Sequence, residues 1–578
     1  MENSSLTNQS SLKLSKRKRI YFDENFSPSD KNTLKREFEN LLAMQIKNRA
    51  ELITFLEKCG ELSDIIGEEY AWKYINMTRF ADNQDYQKEF NEFYSNSISL
   101  SMSYDFELKK KFYESPFRNE LEEPSFKHLN RIIANDIEIF REENVPLFVK
   151  EREVSNKYGE VISKIVINFK GTEKTFNQMN VFLKDKDRSV REEAWNAKYT
   201  NLREHAEELD AIFDELKEIR NKEAKNAGFD NYRDYKHKEK GRFSYTPDDL
   251  MQFHKAVEDI VVPFVKERNE VRKNKLNLDT LRPWDTSVET DGDTLKPFVQ
   301  IEEFTDKAIQ TLTDADKDFG MNLATMKASG FLDLENRKGK APGGYTFGLP
   351  EYGSSFIFMN AVGVNSDVKT LLHESGHAMH SKLTSPMKIS YFKDYPMEVA
   401  ELASMSMELF TVDHLNHFYN DKEQLKKAKL EQLEGALSFL PWCMTVDAFQ
   451  HWIYTTPHNS TERKAYFENL MERFNGGVEW SGLRDIEQIL WMQQLHIFEV
   501  PFYYIEYGMS QLGALAVYKN YKLDPEKAVE QYKQFLKLGY SLPVKDLYSA
   551  AGIEFNFSEE YIKGIVDFVR DEIRALES

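Results

Sequence analysis

His373, Glu374 and His377 stand in an HExxH spacing inside the run Asp367-Val-Lys-Thr-Leu-Leu-His-Glu-Ser-Gly-His-Ala-Met-His-Ser-Lys-Leu383. On an α-helix, residues four apart lie nearly above one another, so both imidazoles project from one face and can grip a single metal ion. Glu374 falls about 100° round from His373 by helix geometry. That is beside the metal position, where a carboxylate can take a proton from a metal-bound water. The chemistry this pattern points to is metal-assisted hydrolysis, and the plain alternative is a pair of solvated histidines on a long helix. With 12 His in 578 residues, chance produces this spacing in roughly a few per cent of such chains, so a third ligand decides between the two.

Two helices must position these groups. Ser366 or Asp367 can cap the first, and Val368, Leu371, Leu372, Met379 and Leu383 give it an apolar stripe. Gly376 costs such a helix roughly 1 kcal/mol relative to Ala, which implies a close approach on its face. Pro396 can begin a second helix, with Val399, Leu402, Met405, Leu409 and Phe410 as its buried side. Glu398, Glu401 and Glu408 are its acidic candidates, and the last two are two turns apart on one face. A single glutamate here would ordinarily be a solvated helix charge. These lie in a run of apolar and small residues, where an unpaired carboxylate is expensive.

His-Glu-Ser-Gly-His-Ala-Met-His (373–380), followed by Glu401-Leu-Ala-Ser-Met-Ser-Met-Glu408, resembles the thimet oligopeptidase and oligoendopeptidase F group of zinc metallopeptidases. The oligoendopeptidase F branch fits better, because of the Glu-Val-Ala-Glu run at 398–401. Gly228-Phe-Asp-Asn-Tyr-Arg-Asp-Tyr235, Arg242-Phe-Ser-Tyr-Thr-Pro247 and Leu281-Arg-Pro-Trp-Asp285 look like the same pattern, so the resemblance covers roughly residues 120 to 575. It implies one Zn2+ per chain held by His373, His377 and Glu401, with Glu374 as general base and Glu408 orienting a ligand. It also implies a mainly α fold, with two helical lobes around a deep substrate channel and a small β-hairpin beside the zinc helix. The activity implied is that of a zinc metalloendopeptidase cleaving internal bonds of short peptides by zinc-activated water. Two competing readings are a peptidase restricted to chain ends, of carboxypeptidase or dipeptidase type, and an inactive helical peptide-binding protein.

The glycine-rich run Arg337–Phe347 reads as a mobile loop flanking the site, with Gly339, Gly343 and Gly344 allowing close backbone approach. It leads into two β segments, Tyr345-Thr-Phe347 and Ser355–Asn360, separated by a turn at Pro350 and Gly353. An extended peptide can add to the open edge of such a strand by main-chain hydrogen bonds; ordinary sheet core is the equal alternative on residues alone. Gly344, Tyr345, Phe358 and Asn360 are the substrate-side candidates. Amide hydrolysis also needs donors aimed at the developing oxyanion. His496, Tyr503, Tyr504 and Tyr507 are four within twelve residues, in a chain holding 28 Tyr that could equally be wall or core. The resemblance carries over His496 and Tyr507 as oxyanion and substrate contacts, and leaves the choice between Tyr503 and Tyr504 open. Asp447, Gln450 and His451 lie about one turn apart and are read as packing.

A hydrophobic share of 41% supports a large interior, and a net charge of −19 argues against nucleic acid or an anionic membrane as a partner. No window of 18 or more apolar residues occurs. Two cysteines, Cys59 and Cys443, form no disulfide framework and fit a cytoplasmic protein. The basic run Lys13–Arg19 reads as part of a flexible polar tail over residues 1–20, ahead of an N-terminal helical lobe at 21–185 and a catalytic domain at 186–578. Within the lobe, Leu34–Cys59 follows a 3.6-residue period and Gly60 punctuates it. Val161–Phe169 partly alternates as a strand would, after a turn at Asn156–Gly159. Oligomeric state is left open by the sequence.

Overall fold

The computed structural model describes residues 12–290, 292 and 294–578. The apolar period over Leu34–Cys59 becomes two helices rather than one, α1 (Lys31–Ala43) and α2 (Arg49–Arg79). Each has its own cap: the side chain of Asp30 accepts from Asn32 N–H, and that of Asn48 from Glu51 N–H. Gly60 does not end a helix but sits inside α2. A Cβ there would lie 2.1 Å from the carbonyl oxygen of Lys388, so the glycine exists to let that backbone lie on the helix.

Helix α3 (Val145–Lys164) runs straight through the turn expected at Asn156–Gly159, and only Val166–Phe169 is strand β1, paired antiparallel with β2 (Thr172–Thr175). The apparent alternation was the end of a helical stripe, since Val154, Tyr158 and Val161 are its buried side at spacings of three and four. The second sheet orders β3 (Leu332–Glu335), β5 (Ser354–Ala361) and β4 (Tyr345–Leu349) with β5 in the middle, parallel to β3 and antiparallel to β4. Two helices follow, α4 (Asn365–Thr384) and α5 (Met397–Phe410), Pro396 standing one residue before the latter. Ser366 is not the cap of α4. Instead Asp367 Oδ2 accepts from the N–H groups of Val362, Gly363 and Val364 at 2.8, 2.8 and 3.0 Å. One carboxylate at the positive end of the helix thus ties α4 to the strand that precedes it.

The chain divides into two compact units, each gathered from three separated segments, in place of the contiguous division expected at 185/186. One comprises Met1–Glu138, Leu295–Gln432 and Gly513–Phe555; the other Ile139–Thr294, Leu433–Leu512 and Asn556–Ser578. In the first, Leu34 and Phe38 of α1 pack with Leu52, Phe55 and Leu56 of α2 and with Phe112, Leu129 and Phe392. Each such side chain contributes about 1.5–3 kcal/mol on full burial. In the second, the fully buried Arg220 donates to the carbonyl of Ile497 at 3.0 Å and the hydroxyl of Tyr454 at 2.8 Å, and the rings of Trp491 and Phe498 stack on each other. Among the described residues no helix is long and apolar enough to cross a membrane.

The described part of the expected tail is anchored, not frayed. Leu14 N–H donates to Ser329 Oγ at 3.0 Å, Arg17 reaches the carbonyl of Ser385 at 2.7 Å, and Lys16 and Arg19 pair with Glu351 at 2.7 and 2.8 Å. The acceptors lie more than 300 residues away, which is why the run looks like a free basic arm in isolation. Residues 1–11 of that expected tail lie outside the described residues.

Helices α4 and α5 meet at Gly376. A Cβ there would fall 2.6 Å from Ser404 Cα and 2.8 Å from the carbonyl oxygen of Ala403, both backbone atoms that cannot yield cheaply. Helix propensity alone would make Gly376→Ala stabilising by about 1 kcal/mol, whereas overpacking costs about 1–3 kcal/mol or more. The packing term wins: Gly376→Ala should lower the urea unfolding free energy, and a rise in stability would show that the two helices are not held this close.

Candidate active site

Helix α4 presents His373 and His377 on one face, and α5 brings Glu401 against them. His373 Nε2 lies 3.3 Å and His377 Nε2 3.7 Å from Glu401 Oε2, and one donor atom from each of the three residues falls within 4.8 Å of the others. Four-coordinate zinc with ligands at about 2.0–2.1 Å separates neighbouring donors by about 3.4 Å. The two separations from Glu401 are those of neighbouring ligands on one cation. Glu398 shares the helix but stands outside this group, and His380, third histidine of the run, is buried with its ring stacked 3.6 Å from Tyr395.

The electrostatics are those of a cation site. Burial alone would lower the pKa of His373, yet the carboxylates of Glu401 and Glu408 raise it to about 10. Burial likewise opposes ionisation of Glu401, but the two imidazoles and Ser404 hold its carboxyl down at about 2. His377 is pushed below its ordinary value, first by burial. Two buried carboxylates thus compete for positive charge at one spot, and a metal ion can take the place of the proton on His373.

Around the donors, Glu408 Oε1 accepts from His373 Nδ1 at 2.7 Å, so Nε2 is left to face the site. Glu408 is itself held by Gln432 Nε2 at 2.7 Å and Lys369 Nζ at 3.4 Å. Ser404 Oγ donates to Glu401 Oε2 at 3.0 Å. Glu374 is buried beside the donors, and Thr346 Oγ1 on β4 donates to its Oε2 at 2.6 Å. Sequence reasoning missed Thr346, Ser404, Gln432 and Lys369. Ser404 was legible as a polar neighbour three residues after Glu401 on a helix; Thr346 and Gln432 carry no local signal.

The glycine-rich loop is pinned rather than mobile. The side chain of Lys340 is buried and donates to Asp333 Oδ1 and to the carbonyl of Glu335, both at 2.9 Å; Ala341 N–H donates to the carbonyl of Thr78 at 2.8 Å. Asn360 donates to the carbonyls of Ala341 and Gly343 at 2.9 and 2.8 Å, so its amide fastens this loop. Phe358 is fully buried under the stacked ring of Tyr345, whose hydroxyl lies 2.6 Å from Thr78 Oγ1, and Gly344 sits against the carbonyl of Phe358. These four candidates build the sheet's end.

The aromatic group belongs to the second unit. His496 Nδ1 accepts from Gln494 Nε2 at 2.7 Å, and its ring lies 4.8 Å from Tyr504 and 6.0 Å from Tyr507, with Tyr503 5.1 Å from Tyr507. Burial pushes the His496 pKa down to about 4, which leaves a neutral ring with its proton on Nε2. Asp447 pairs with His254 and His451 at 2.8 and 3.2 Å inside the same unit, and Gln450 Oε1 accepts from Phe502 N–H, so these residues pack as expected.

The sequence pattern described as peptidase family M3 matches residues 181–567, and that of the peptidase M3 N-terminal domain matches residues 23–140. An oligoendopeptidase F homolog of Lactococcus lactis is 22% identical over 91% of this chain and 90% of its own. One of Borreliella burgdorferi is 26% identical over 51% of this chain and 50% of its own. The solved structure of PZ peptidase A with an inhibitor superposes with a TM-score of 0.86 at 25% identity, covering 96% of this chain and 99% of that one.

Removing a donor and removing its support should differ in degree. Glu401→Ala should abolish stoichiometric metal after desalting, measured by elemental analysis. Glu408→Gln should retain metal but weaken its affinity about 10–100-fold, measured by competition with a chelator. Full metal content in Glu401→Ala would place the third ligand elsewhere.

Proposed function

The chain belongs to peptidase family M3, a family of metallopeptidases, and from that premise we propose that it is a zinc endopeptidase cleaving internal bonds of short oligopeptides. The observation that carries this reading is the convergence of His373, His377 and Glu401 beside a buried Glu374. Two imidazoles and a carboxylate are a donor set of catalytic zinc. Zinc held there supplies Lewis acidity, making water acidic near neutral pH and polarising the scissile carbonyl. The names of the relatives, oligoendopeptidase F and PZ peptidase, support peptides as substrates.

Glu374 accepts the proton of the attacking water and hands it to the departing amine. Thr346 fixes one oxygen of that carboxylate, so the other is the one free to do the transfer. The outer edge of β4 has no backbone partner among the described residues, and an extended substrate added there is gripped through its main chain whatever its side chains. Tyr507 and the neutral His496 are the proposed oxyanion donors, with Tyr503 and Tyr504 as further candidates. Burial pushes the Tyr504 phenol above its ordinary range, which keeps it a donor. The free thiols of Cys59 and Cys443 suit a cytoplasmic setting.

Glu374→Gln should keep its zinc and lose about 10²–10⁴-fold in kcat on an internally quenched peptide blocked at both ends; near-normal turnover removes the assigned base. Wild-type protein that cuts only after the ends are unblocked belongs instead to the end-restricted class. Tyr507→Phe should lower kcat by about 10²-fold with little change in KM, and an effect on KM alone would make Tyr507 a substrate-binding residue.

A further inference from the structure

A cavity of about 960 Å³ opens within the first unit, and Thr346, Gly348, His377 and Ser381 are on its wall. It therefore shares a wall with one of the metal donors, His377, and with the open strand β4. Asp64, Asp105, Lys109, Lys393 and Asp394 line it as well. Their charges do not cancel. Lys393 Nζ is 2.6 Å from Asp64, and Lys109 Nζ is shared between Asp105 at 2.7 Å and Asp136 at 2.9 Å. Both ammonium groups are thus committed, one of them to two carboxylates. Asp394 is exposed, lines the cavity and has no hydrogen-bond or ion-pair partner among the described residues.

The position of Asp394 is set by its neighbour. Tyr395 stacks on the buried His380 of α4 at 3.6 Å and 9°, which ties the segment before α5 to the metal-bearing helix. Burial pushes the Asp394 carboxyl above its ordinary value; Lys109 opposes this, and the like charges of Asp136 and Asp105 add to it. A cation brought into the cavity would find Asp394 as a carboxylate not already committed to a lysine. The remaining wall includes Leu62, Ile66 and Met397. An apolar wall with one unpaired carboxylate matches a long aliphatic stem that ends in positive charge.

Resting on the endopeptidase reading, we propose that this cavity is a substrate subsite for a lysine or arginine side chain, with Asp394 as the residue that selects it. The subsite adds affinity at one substrate position and leaves the reacting groups untouched. Because the cavity is wet and partly open, the preference weakens as salt is raised.

The test uses the zinc-loaded protein and an N-acetylated, C-amidated, internally quenched peptide of neutral residues. Lysine is placed at each position in turn, with norleucine as the uncharged comparison. At one position relative to the cut, lysine should raise kcat/KM about tenfold over norleucine, the lower end for a hydrogen bond to a charged group. Asp394→Asn should remove that gain and leave the norleucine peptides unchanged. No lysine advantage in the wild type, or one that survives Asp394→Asn, overturns the proposal. So does an advantage that appears only when the α-amine is freed, since Asp394 would then grip a chain terminus. Affinities of the same peptides for Glu374→Gln, with and without Asp394→Asn, make the comparison without turnover. A lysine preference there that depends on Asp394 supports the subsite even if no peptide is cut, whereas uncut peptides in the zinc-loaded wild type sink the peptidase reading alone.

Discussion

Two glutamate carboxylates, Glu401 and Glu408, are buried against a single imidazole, His373. Burying charge without a partner is among the most expensive things a fold can do. Each carboxylate accordingly has its own support: Ser404 on Glu401, Gln432 and Lys369 on Glu408. That arrangement requires α5 to lie almost in backbone contact with α4, and the missing side chain at Gly376 permits it. The packing and the chemistry are one constraint. Loosening the helix pair would leave carboxylates in a low-dielectric interior with nothing to neutralise them.

The sheet extends this rigid frame to Glu374. Asp333 on β3 gathers Arg79, Arg337 and Lys340, whose pull holds its carboxyl well below the ordinary range against the cost of burial. The loop that precedes β4 is thereby fastened to the end of α2, and β4 is held where Thr346 can reach Glu374. Sites built on strands and helices keep their geometry better than sites on free loops. The expected flexibility of the glycine-rich run gives way to this, because a buried lysine and an asparagine amide spend their hydrogens on the loop's surroundings and its own carbonyls.

Charge is distributed by the same logic across the first unit. In a chain of net charge −19, the buried Glu351 is paired with Lys16 and Arg19, and the half-buried Asp64 and Asp105 with Lys393 and Lys109. The N-terminal basic run, which looks like a solubilising arm, supplies two of those cations to the turn between β4 and β5. Asp394, by contrast, is an exposed acid without an ion-pair partner on the wall of the cavity that His377 also lines.

The histidine spacing, the carboxylate beside it and the helix that carries them were determined by local sequence, because i and i+4 geometry is a property of the helix itself. The buried glutamates of 398–408 were legible as a group, since charge within an apolar run has to be explained. Which of them joins the histidines was decided by tertiary structure, through a crossing of two helices that Gly376 makes possible. Thr346 and Gln432 lie 28 and 24 residues from the carboxylates they hold, and no period or cap records such partners. The interleaved units follow the same rule: an apolar stripe announces that a helix is buried, but only the packed chain specifies against what.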